Sequence, residues 1–468
     1  MGSVRRNITV PGKYTDYFSL ILRHLVIVMA CIGGPTAYSY AGNNTADSIQ
    51  YLNLDQCITY ALQFQPAINR SLIEMSIVKK TNAINLSAWL PQVNLVGNLT
   101  HYGQLPTVLS ANPTPGGPLI QTHSGINNTF IPQLSATQII YSPDVLNAAK
   151  NAHLYVEQAK QSNDSTKIEI ISNVSKAFYS LLFNLEQINV LKEDTARLAK
   201  NLRDAYHQYV GGIVDKTDYK EASISLNNSR AQLKQVNENV RPLYASLKQL
   251  MGFPTEKEFY VSFDTLQMVQ KIAFDTTQVL DYQKRIEYQL LQTIKELQIR
   301  NVKYSRSQYL PTLSAFYNYI PEFENNSFSN LYNHSYPYSY LGASLSIPLF
   351  TGLRRSETVQ RARLQLQQIN WTEVDLKSRI YSEYTNALAS YKSNLFDLNV
   401  LRENKAMAKD VYSVVSLQYK QGVVAYLNVI TAESNLISSE ISYLNALFQV
   451  LLSKVDLERA MGNTLSKY

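Results

Sequence analysis

Residues 340–365 change abruptly from a strand pattern to a helix pattern. At the start of this stretch apolar residues occupy every second position, and glycine or serine fills the positions between them. The apolar set is Leu341, Ala343, Leu345, Ile347 and Leu349, and the polar set is Gly342, Ser344 and Ser346. A period of two is typical of a strand with one apolar and one polar face. The pattern breaks at residues 348–352, and a polar helical pattern follows over residues 353–421.

The chain contains this junction twice, and three landmarks repeat with nearly constant spacing. They are Gly212 with Gly422, Met251-Gly252 with Met461-Gly462, and Leu90-Pro91 with Leu310-Pro311. The first two pairs are 210 residues apart and the third is 220 residues apart, which places about ten extra residues in a loop of the first copy. A fixed spacing over three landmarks indicates an internal duplication.

The duplication predicts a fold that is mainly α, with four strands and long coiled-coil helices in each chain. We expect a helix over residues 277–308 before the third strand, and loops over residues 104–128 and 321–338. The expected boundaries are 42–252 for the first copy with strands at about 90–103 and 130–143, 253–276 for the connecting segment, and 277–468 for the second copy with strands at about 310–320 and 340–350.

The predicted strands are long enough to cross the apolar layer of a membrane when they are tilted. Four strands cannot close a barrel, and open sheet edges are not tolerated in lipid. A transmembrane barrel must therefore combine several chains: two would supply eight strands, and three would supply twelve, with room for a lumen. The helix over residues 353–421 would be roughly 100 Å long at the usual helical rise.

The first 41 residues have the pattern of an export signal. Four basic residues, the last of them Arg23, precede or border an apolar stretch at residues 25–34, and small residues lead to a cleavage site at Ala41. A second interpretation reads residues 28–31 as a lipoprotein box, which would attach an acyl chain to Cys31. A buried N-terminal helix is the third. After cleavage at Ala41, Cys57 is the one cysteine left, which excludes an internal disulfide.

Composition and motifs argue against several other functions. The net charge of +7 is a mild basic excess, which does not predict nucleic-acid binding. Outside the N-terminus no run of eighteen apolar residues occurs, so helical membrane spans are not expected. The six histidines are scattered, and metal-ligand, nucleotide-binding and nucleophile motifs are missing from the sequence. We therefore expect no metal, no cofactor and no enzymatic activity.

Several segments, taken together and in order, resemble the TolC-type outer-membrane efflux protein family. They are LDQCITYALQFQPAI, SAWLPQVNL, LGASLSIPLFTG followed by RRSETVQRARLQ, and YKQGVVAYLNVITAESNLISSE with VDLERAMG at the end. The resemblance covers nearly everything after the leader. One departure is Gln65, which stands where the family has Asn before the proline.

The resemblance implies a homotrimer, with a twelve-stranded barrel in the outer-membrane lipid and an α-helical tunnel through the periplasm of a bacterial cell. It also implies that a periplasmic adaptor (membrane fusion) protein docks at the helix tips and links the duct to an inner-membrane pump. The tip residues are Gly211, Gly212, Gln421 and Gly422.

The resemblance further suggests where the periplasmic end closes. Asp218 and Tyr419 fall on the positions of an Asp–Tyr link in the best-known family members, and Val424 falls where those members have Arg. Asn428 and Thr431 fall where they have an acidic pair. Since neutral side chains neither repel one another nor attract cations, this channel would keep part of the link without the charged ring. The alternative is that Asp218 is a helix-start carboxylate and Tyr419 an interfacial side chain.

Two classes of function remain from the sequence. The first is an export duct of a tripartite efflux or type I secretion system, which conducts substrates passively and opens when the inner coils untwist. The second is a periplasmic coiled-coil adaptor or stalk without a pore. Adaptors carry one helical hairpin between β segments, whereas this chain has two hairpins and no such flanks, which favours the duct.

Overall fold

The structure is a computed structural model that describes residues 50–262 and 272–465. The predicted leader at residues 1–41, with Cys31 and Ala41, lies outside the described residues. Within the described part, the α-helices are α1 (Leu54–Phe64), α2 (Pro66–Ser87), α3 (Pro143–Val210), α4 (Lys216–Met251), α5 (Ile286–Ser307), α6 (Arg354–Lys420) and α7 (Tyr426–Ala460). The strands are β1 (Gln50–Leu52), β2 (Gln92–His101), β3 (Thr107–Ser110), β4 (Ile120–His123), β5 (Asn128–Tyr141), β6 (Phe259–Val261), β7 (Thr312–Asn325) and β8 (Ser335–Ser346).

Four strands form one antiparallel sheet in the order β2–β5–β7–β8. The register gives this sheet one apolar and one polar face. A row of neighbours on the apolar face is Val93, Ala136, Tyr317 and Leu341, and a row on the polar face is Asn94, Ser135, Asn318 and Tyr340. On the polar face Gln133 donates a hydrogen bond of 2.9 Å to Asn318. The alternation read from the sequence is therefore kept across the whole sheet.

The strand bounds differ from the predicted ones at the connection between β7 and β8. Pairing continues as far as Phe323 opposite Ser335, so that both strands reach into the region expected to be a loop at residues 321–338. β8 ends at Ser346, because Pro348 lacks the amide hydrogen that a sheet partner would need. In the expected loop at residues 104–128, β3 and β4 form a small antiparallel sheet of their own.

Local hydrogen bonds explain where the shorter helices begin. The Asn53 side chain accepts from Gln56 N, and Gln56 in turn accepts from Asn53 N, both at 2.9 Å, which is a capping box at the start of α1. α2 starts at Pro66, and Gln65 caps it by accepting from Ala67 N. α5 begins at Ile286 and not near residue 277, where Asp275 accepts hydrogen bonds from the amide and the hydroxyl of Thr277 in a tight turn.

The largest apolar core lies halfway along α3 and α6, and we call it the mid-helix core. There α1 and the C-terminal ends of α4 and α7 pack beside the two long helices, next to the parallel pair β1–β6. Its fully buried members include Cys57, Leu181, Leu247 and Leu447. Burial raises the pKa of the Cys57 thiol to about 12, so this cysteine acts as a small apolar side chain.

Helix α7 is long and apolar enough, by length and composition, to cross a membrane. It contacts α6 and α3, and its leucines at 444, 447, 451 and 457 are buried. Its apolar character is therefore explained by packing within the helical part of the chain.

Candidate functional site

The two helical hairpins, α3–α4 and α6–α7, turn through the same backbone geometry at their tips. Gly212 and Gly422 have φ values of 70° and 74°, in the left-handed region that favours glycine. Ile213 N donates to Gln208 O and Val423 N donates to Gln418 O, both at 2.9 Å. These equivalent bonds close the two helices in the same way, as expected for a duplicated element.

The predicted tip residues lie on an accessible surface. Gly211 and Gln421 are the C-cap residues of α3 and α6. The apolar residues that follow the turns are strongly exposed, Ile213 to 74% and Val423 to 68%. An apolar side chain presented at each tip is a surface that another protein can cover.

Directly behind the tips, a small group of apolar side chains joins all four helices. We call it the tip cluster, and it consists of Ala205 on α3, Ala222 on α4, Tyr419 on α6, and Tyr426 and Val429 on α7. The rings of Tyr419 and Tyr426 are 5.2 Å apart between centroids. The cluster therefore connects the α3–α4 hairpin to the α6–α7 hairpin close to the tips.

Asp218 lies close enough to Tyr419 for its charge to act on the tyrosine hydroxyl. No hydrogen bond joins the two side chains within the described residues. Burial raises the pKa of Tyr419 to about 12, and the negative charges of Asp218 and Asp204 add to that effect. The Tyr419 hydroxyl is buried and has no hydrogen-bond partner among the described residues. Partial burial, followed by the charges of Glu221 and Asp215, also raises the pKa of Asp218.

The remaining three predicted gate residues divide between the cluster and the surface. Val424 packs against the tip cluster. Asn428 and Thr431 are exposed and lie one turn apart on α7. At these three positions the chain thus has an apolar contact and two neutral polar groups.

A network of buried charges lies on the side of the tip cluster away from the tips, and the sequence did not predict it. Arg197 on α3 donates from Nη2 to Asp194 at 3.0 Å and from Nε to Glu433 on α7 at 3.1 Å. Asn201 donates to the other oxygen of Glu433 at 2.8 Å, and Ser229 on α4 donates to Asp194 at 2.7 Å. Both carboxylates are buried, Glu433 to within 1% exposure.

Burial disfavours the charged forms of the two carboxylates in this network. Burial raises the pKa of Glu433 to about 6. The hydrogen bonds from Asn201 and Arg197, and the charge of Arg197, partly oppose this rise. Burial likewise raises the pKa of Asp194 against the effects of Ser229 and Arg197. Arg197 also lies over the ring of Tyr412 on α6, 5.5 Å from its centroid. Groups from all four hairpin helices therefore meet here, and removal of one charge leaves another buried without its partner.

A local signal for this network exists in the sequence. Glu433 lies on the stripe of α7 that also contains Val429, Ala432 and Leu436, all of them buried. An acidic residue on an apolar helix face indicates a buried partner. The sequence does not identify that partner, because Arg197 is 236 residues away.

The sequence profile of the outer membrane efflux protein family matches residues 58–253 and 296–463, which is most of the chain and includes both tips and the charge network. The chain belongs to this family. It is accordingly a channel of the outer membrane that extends into the periplasm and serves as an exit duct in efflux or secretion. The family consists of channel proteins and not of enzymes.

Individual relatives agree with this placement. The outer membrane protein TolC of Vibrio cholerae is 21% identical over 452 residues, which cover 92% of this chain and 95% of that protein. Among solved structures, CusC matches with a TM-score of 0.72 at 15% identity, covering 90% of this chain and 95% of that chain. The MtrE outer membrane channel of Neisseria gonorrhoeae matches with a TM-score of 0.68 at 16% identity, covering 91% and 95%. The predicted family, fold class, function and location are confirmed.

Proposed function

We propose that three copies of this chain form the duct, with a closed barrel of twelve strands. The observation that supports this proposal is the four-stranded sheet, whose edge strands β2 and β8 pair with no further strand among the described residues. Its apolar face suits lipid, and an open edge in lipid leaves amide groups unsatisfied. β8 is antiparallel to β7, and β2 to β5, so β8 of one copy can pair with β2 of the next without breaking the alternation.

The helical part of the chain offers a matching surface for a second copy. Helix α6 exposes large apolar side chains along most of its length, at intervals that place many of them three, four or seven residues apart. The most exposed are Leu364, Trp371, Val374, Tyr381, Phe396, Met407, Val411, Val414 and Leu417. A stripe of this kind is typical of a helix that packs against another helix. In the trimer, the two copies of the repeat (residues 42–252 and 277–468) would contribute equivalent segments of the tunnel wall.

The tips would be the docking surface for a periplasmic adaptor protein. The turn residues Gly211, Gly212, Gln421 and Gly422, with the exposed Ile213 and Val423, form two equivalent exposed surfaces. Through the adaptor the duct would receive substrates from an inner-membrane pump of a tripartite efflux or type I secretion system. Conduction through the duct itself would be passive.

Opening would require the α6–α7 hairpin to move away from the α3–α4 hairpin near the tips. The tip cluster and the Arg197–Glu433 pair are the contacts that such a movement must break. Asp218 and Tyr419 would form a closing link once the coils are assembled, because their side chains already face one cluster. Asn428 and Thr431 would line a neutral constriction, and Val424 would supply an apolar contact in place of a charged one.

The test is the single-channel conductance of the detergent-purified protein in planar bilayers, measured beside its mass. We expect the mass of three chains, low conductance for the wild type, and higher conductance for Tyr419→Phe. Tyr209 is the matched control, since it occupies the equivalent position of the first repeat and is half-exposed; Tyr209→Phe should conduct like the wild type. A monomer would refute the trimeric duct, and an unchanged conductance of Tyr419→Phe would refute the link.

A further inference from the structure

A cavity of about 360 Å³ lies between α3 and α5, where these helices join the sheet. Tyr141, the last residue of β5, and Pro143, the first of α3, form one wall, and Ser307, the last of α5, lies on the other.

The cavity borders the apolar face of the sheet. A bulge at the end of β5 places Tyr141 opposite Leu313, and Leu313 lies opposite Leu345. These residues belong to the apolar face of the sheet, together with Leu341. Leu146 and Leu310 also line the cavity. An apolar chain that runs along the sheet can thus reach the cavity without crossing a polar surface.

Three cations line the cavity at a depth that corresponds to lipid headgroups. Lys303 and Arg300 precede the end of α5 by four and seven residues, and Lys150 follows the start of α3 by seven. At the helical rise they lie roughly 6 to 10 Å from these helix ends, which adjoin the strands. The headgroup layer of a bilayer is about 5 to 8 Å thick on each side, and long basic side chains extend toward it.

The charge of the cavity is positive. Glu296 pairs with Arg300 at 2.9 Å, and Arg300 also donates to the carbonyl oxygen of Lys150 at 2.7 Å, which fixes the guanidinium. Asp144, near the mouth, accepts hydrogen bonds from Tyr304 and Gln308. Lys150 and Lys303 are exposed and form no ion pair within the described residues. Two ammonium groups are therefore available to an anion beside an apolar wall.

We propose that this cavity binds the phosphate of an anionic phospholipid in the periplasmic leaflet of the outer membrane. Lys150 and Lys303 contact the phosphate, Arg300 supports them, and an acyl chain extends over Leu310 and Tyr141 along the sheet. Anionic lipid is attracted to basic residues at a membrane surface, and the attraction adds with each cation. Such a lipid would fix the junction between the barrel and the helices, independently of how the tips open.

The experiment is native mass spectrometry of the full chain in detergent, with equal amounts of phosphatidylglycerol and phosphatidylcholine added. The wild type should retain phosphatidylglycerol selectively. In Lys150→Gln/Lys303→Gln this preference should fall about thirtyfold, the combined effect expected of two cations at a lipid surface. Lys392→Gln/Lys409→Gln is the matched control: it removes two exposed lysines of α6, far from the sheet, and should bind like the wild type.

Two further arms separate the sources of the phosphate and the effect of folding. Inorganic phosphate in large excess should not displace the lipid, and Lys150→Arg/Lys303→Arg should retain it because both charges are kept. Equal binding of the two lipids by the wild type would overturn the proposal, as would unchanged selectivity of the Gln variant. Displacement by inorganic phosphate would show a free-phosphate site in its place.

Discussion

Each helical hairpin has a tip, where its two helices join, and a root, where its second helix ends. A glycine with a left-handed φ lies at both ends, but its surroundings differ. At the tips, Gly212 and Gly422 have left-handed φ values, and a methyl group added there would meet nothing within 4 Å. At the roots, Gly252 and Gly462 also have left-handed φ values. There an added methyl group would meet the chain next to Pro66 in one case and the Lys284 carbonyl in the other. The root glycines are therefore in close contact with other parts of the chain, whereas the tip glycines have open space beside them.

The side chains near each end differ in the same sense. The roots of α4 and α7 join the mid-helix core, in which apolar residues from α1, α3, α4, α6 and α7 are buried together. The tip half has only the small tip cluster and, beside it, a buried charge network. Apolar packing resists rearrangement because every displaced contact leaves a void. A few polar contacts can be exchanged for water or for a partner protein. The comparison indicates a fixed root and an adjustable tip.

The largest effect is expected from a methyl group at a root glycine. Gly462→Ala places Cβ 2.5 Å from the Lys284 carbonyl oxygen, so it adds overpacking to the left-handed strain and should destabilise by roughly 4 kcal/mol in total. Gly422→Ala carries the strain alone and should cost only about 1 kcal/mol. Thermal unfolding of the two variants in detergent gives both values. Equal losses at the two sites would contradict the distinction between a packed root and a free tip.

A second, smaller effect is expected in the charge network. Glu433→Ala leaves the half-buried Arg197 with one carboxylate where it had two, and should destabilise by about 3 kcal/mol. Because the pair joins the two hairpins near the tips, the variant should also conduct more than the wild type in planar bilayers. Leu447→Ala in the mid-helix core is the comparison, since it creates a void of similar cost without loosening the tip. If both variants raised conductance equally, the tip would not be the adjustable part.

The network should also make the tip half sensitive to pH. In the unfolded chain Glu433 releases its proton near its ordinary pKa of 4.5, and in the native state burial raises that pKa to about 6. Between these values the native state binds more protons, so stability falls as pH rises through this interval and is constant above it. The shift corresponds to about 2 kcal/mol.

Glu433→Gln removes this contribution. The unfolding temperature of the wild type, relative to that of Glu433→Gln, should decrease from pH 4.5 to 6.5 and then remain level. Asp194, Arg197 and Tyr412 surround residue 433 in both proteins, and only in the wild type does that residue titrate. A difference that increased with pH would mean that the ion pair outweighs burial.

The smallest effect is expected at the helix starts beyond the tips. Asp215 caps α4 with its side chain, whereas Ala425 at the equivalent position of α7 makes no side-chain cap. Asp215→Ala should destabilise by about 1 kcal/mol, and Ala425→Asp should stabilise by a similar or smaller amount. Denaturant unfolding of both variants measures the difference. A gain at one site without a loss at the other would show that the two tips are not equivalent in structure.

Local patterns of the sequence determined the elements and their duplication. Alternation with a period of two identified the four strands and their apolar face, and Gly212 and Gly422 marked the tips, because these signals depend on residues close together in the chain. The bounds of β7 and β8 were less accurate, since strands continue as far as their partners pair and not only as far as the local pattern extends.

Only the tertiary structure decided which side chains meet across the helices. The pairing of Arg197 with Glu433, the crowding at Gly462 beside Lys284 and the placement of Lys150 and Lys303 around one cavity all involve residues more than a hundred positions apart. In a helix of 67 or 68 residues, small deviations in winding accumulate into a rotation of the face that meets its neighbour. The sequence therefore determines that these helices form, whereas their packing determines which of their charges become buried partners and which remain available to a ligand.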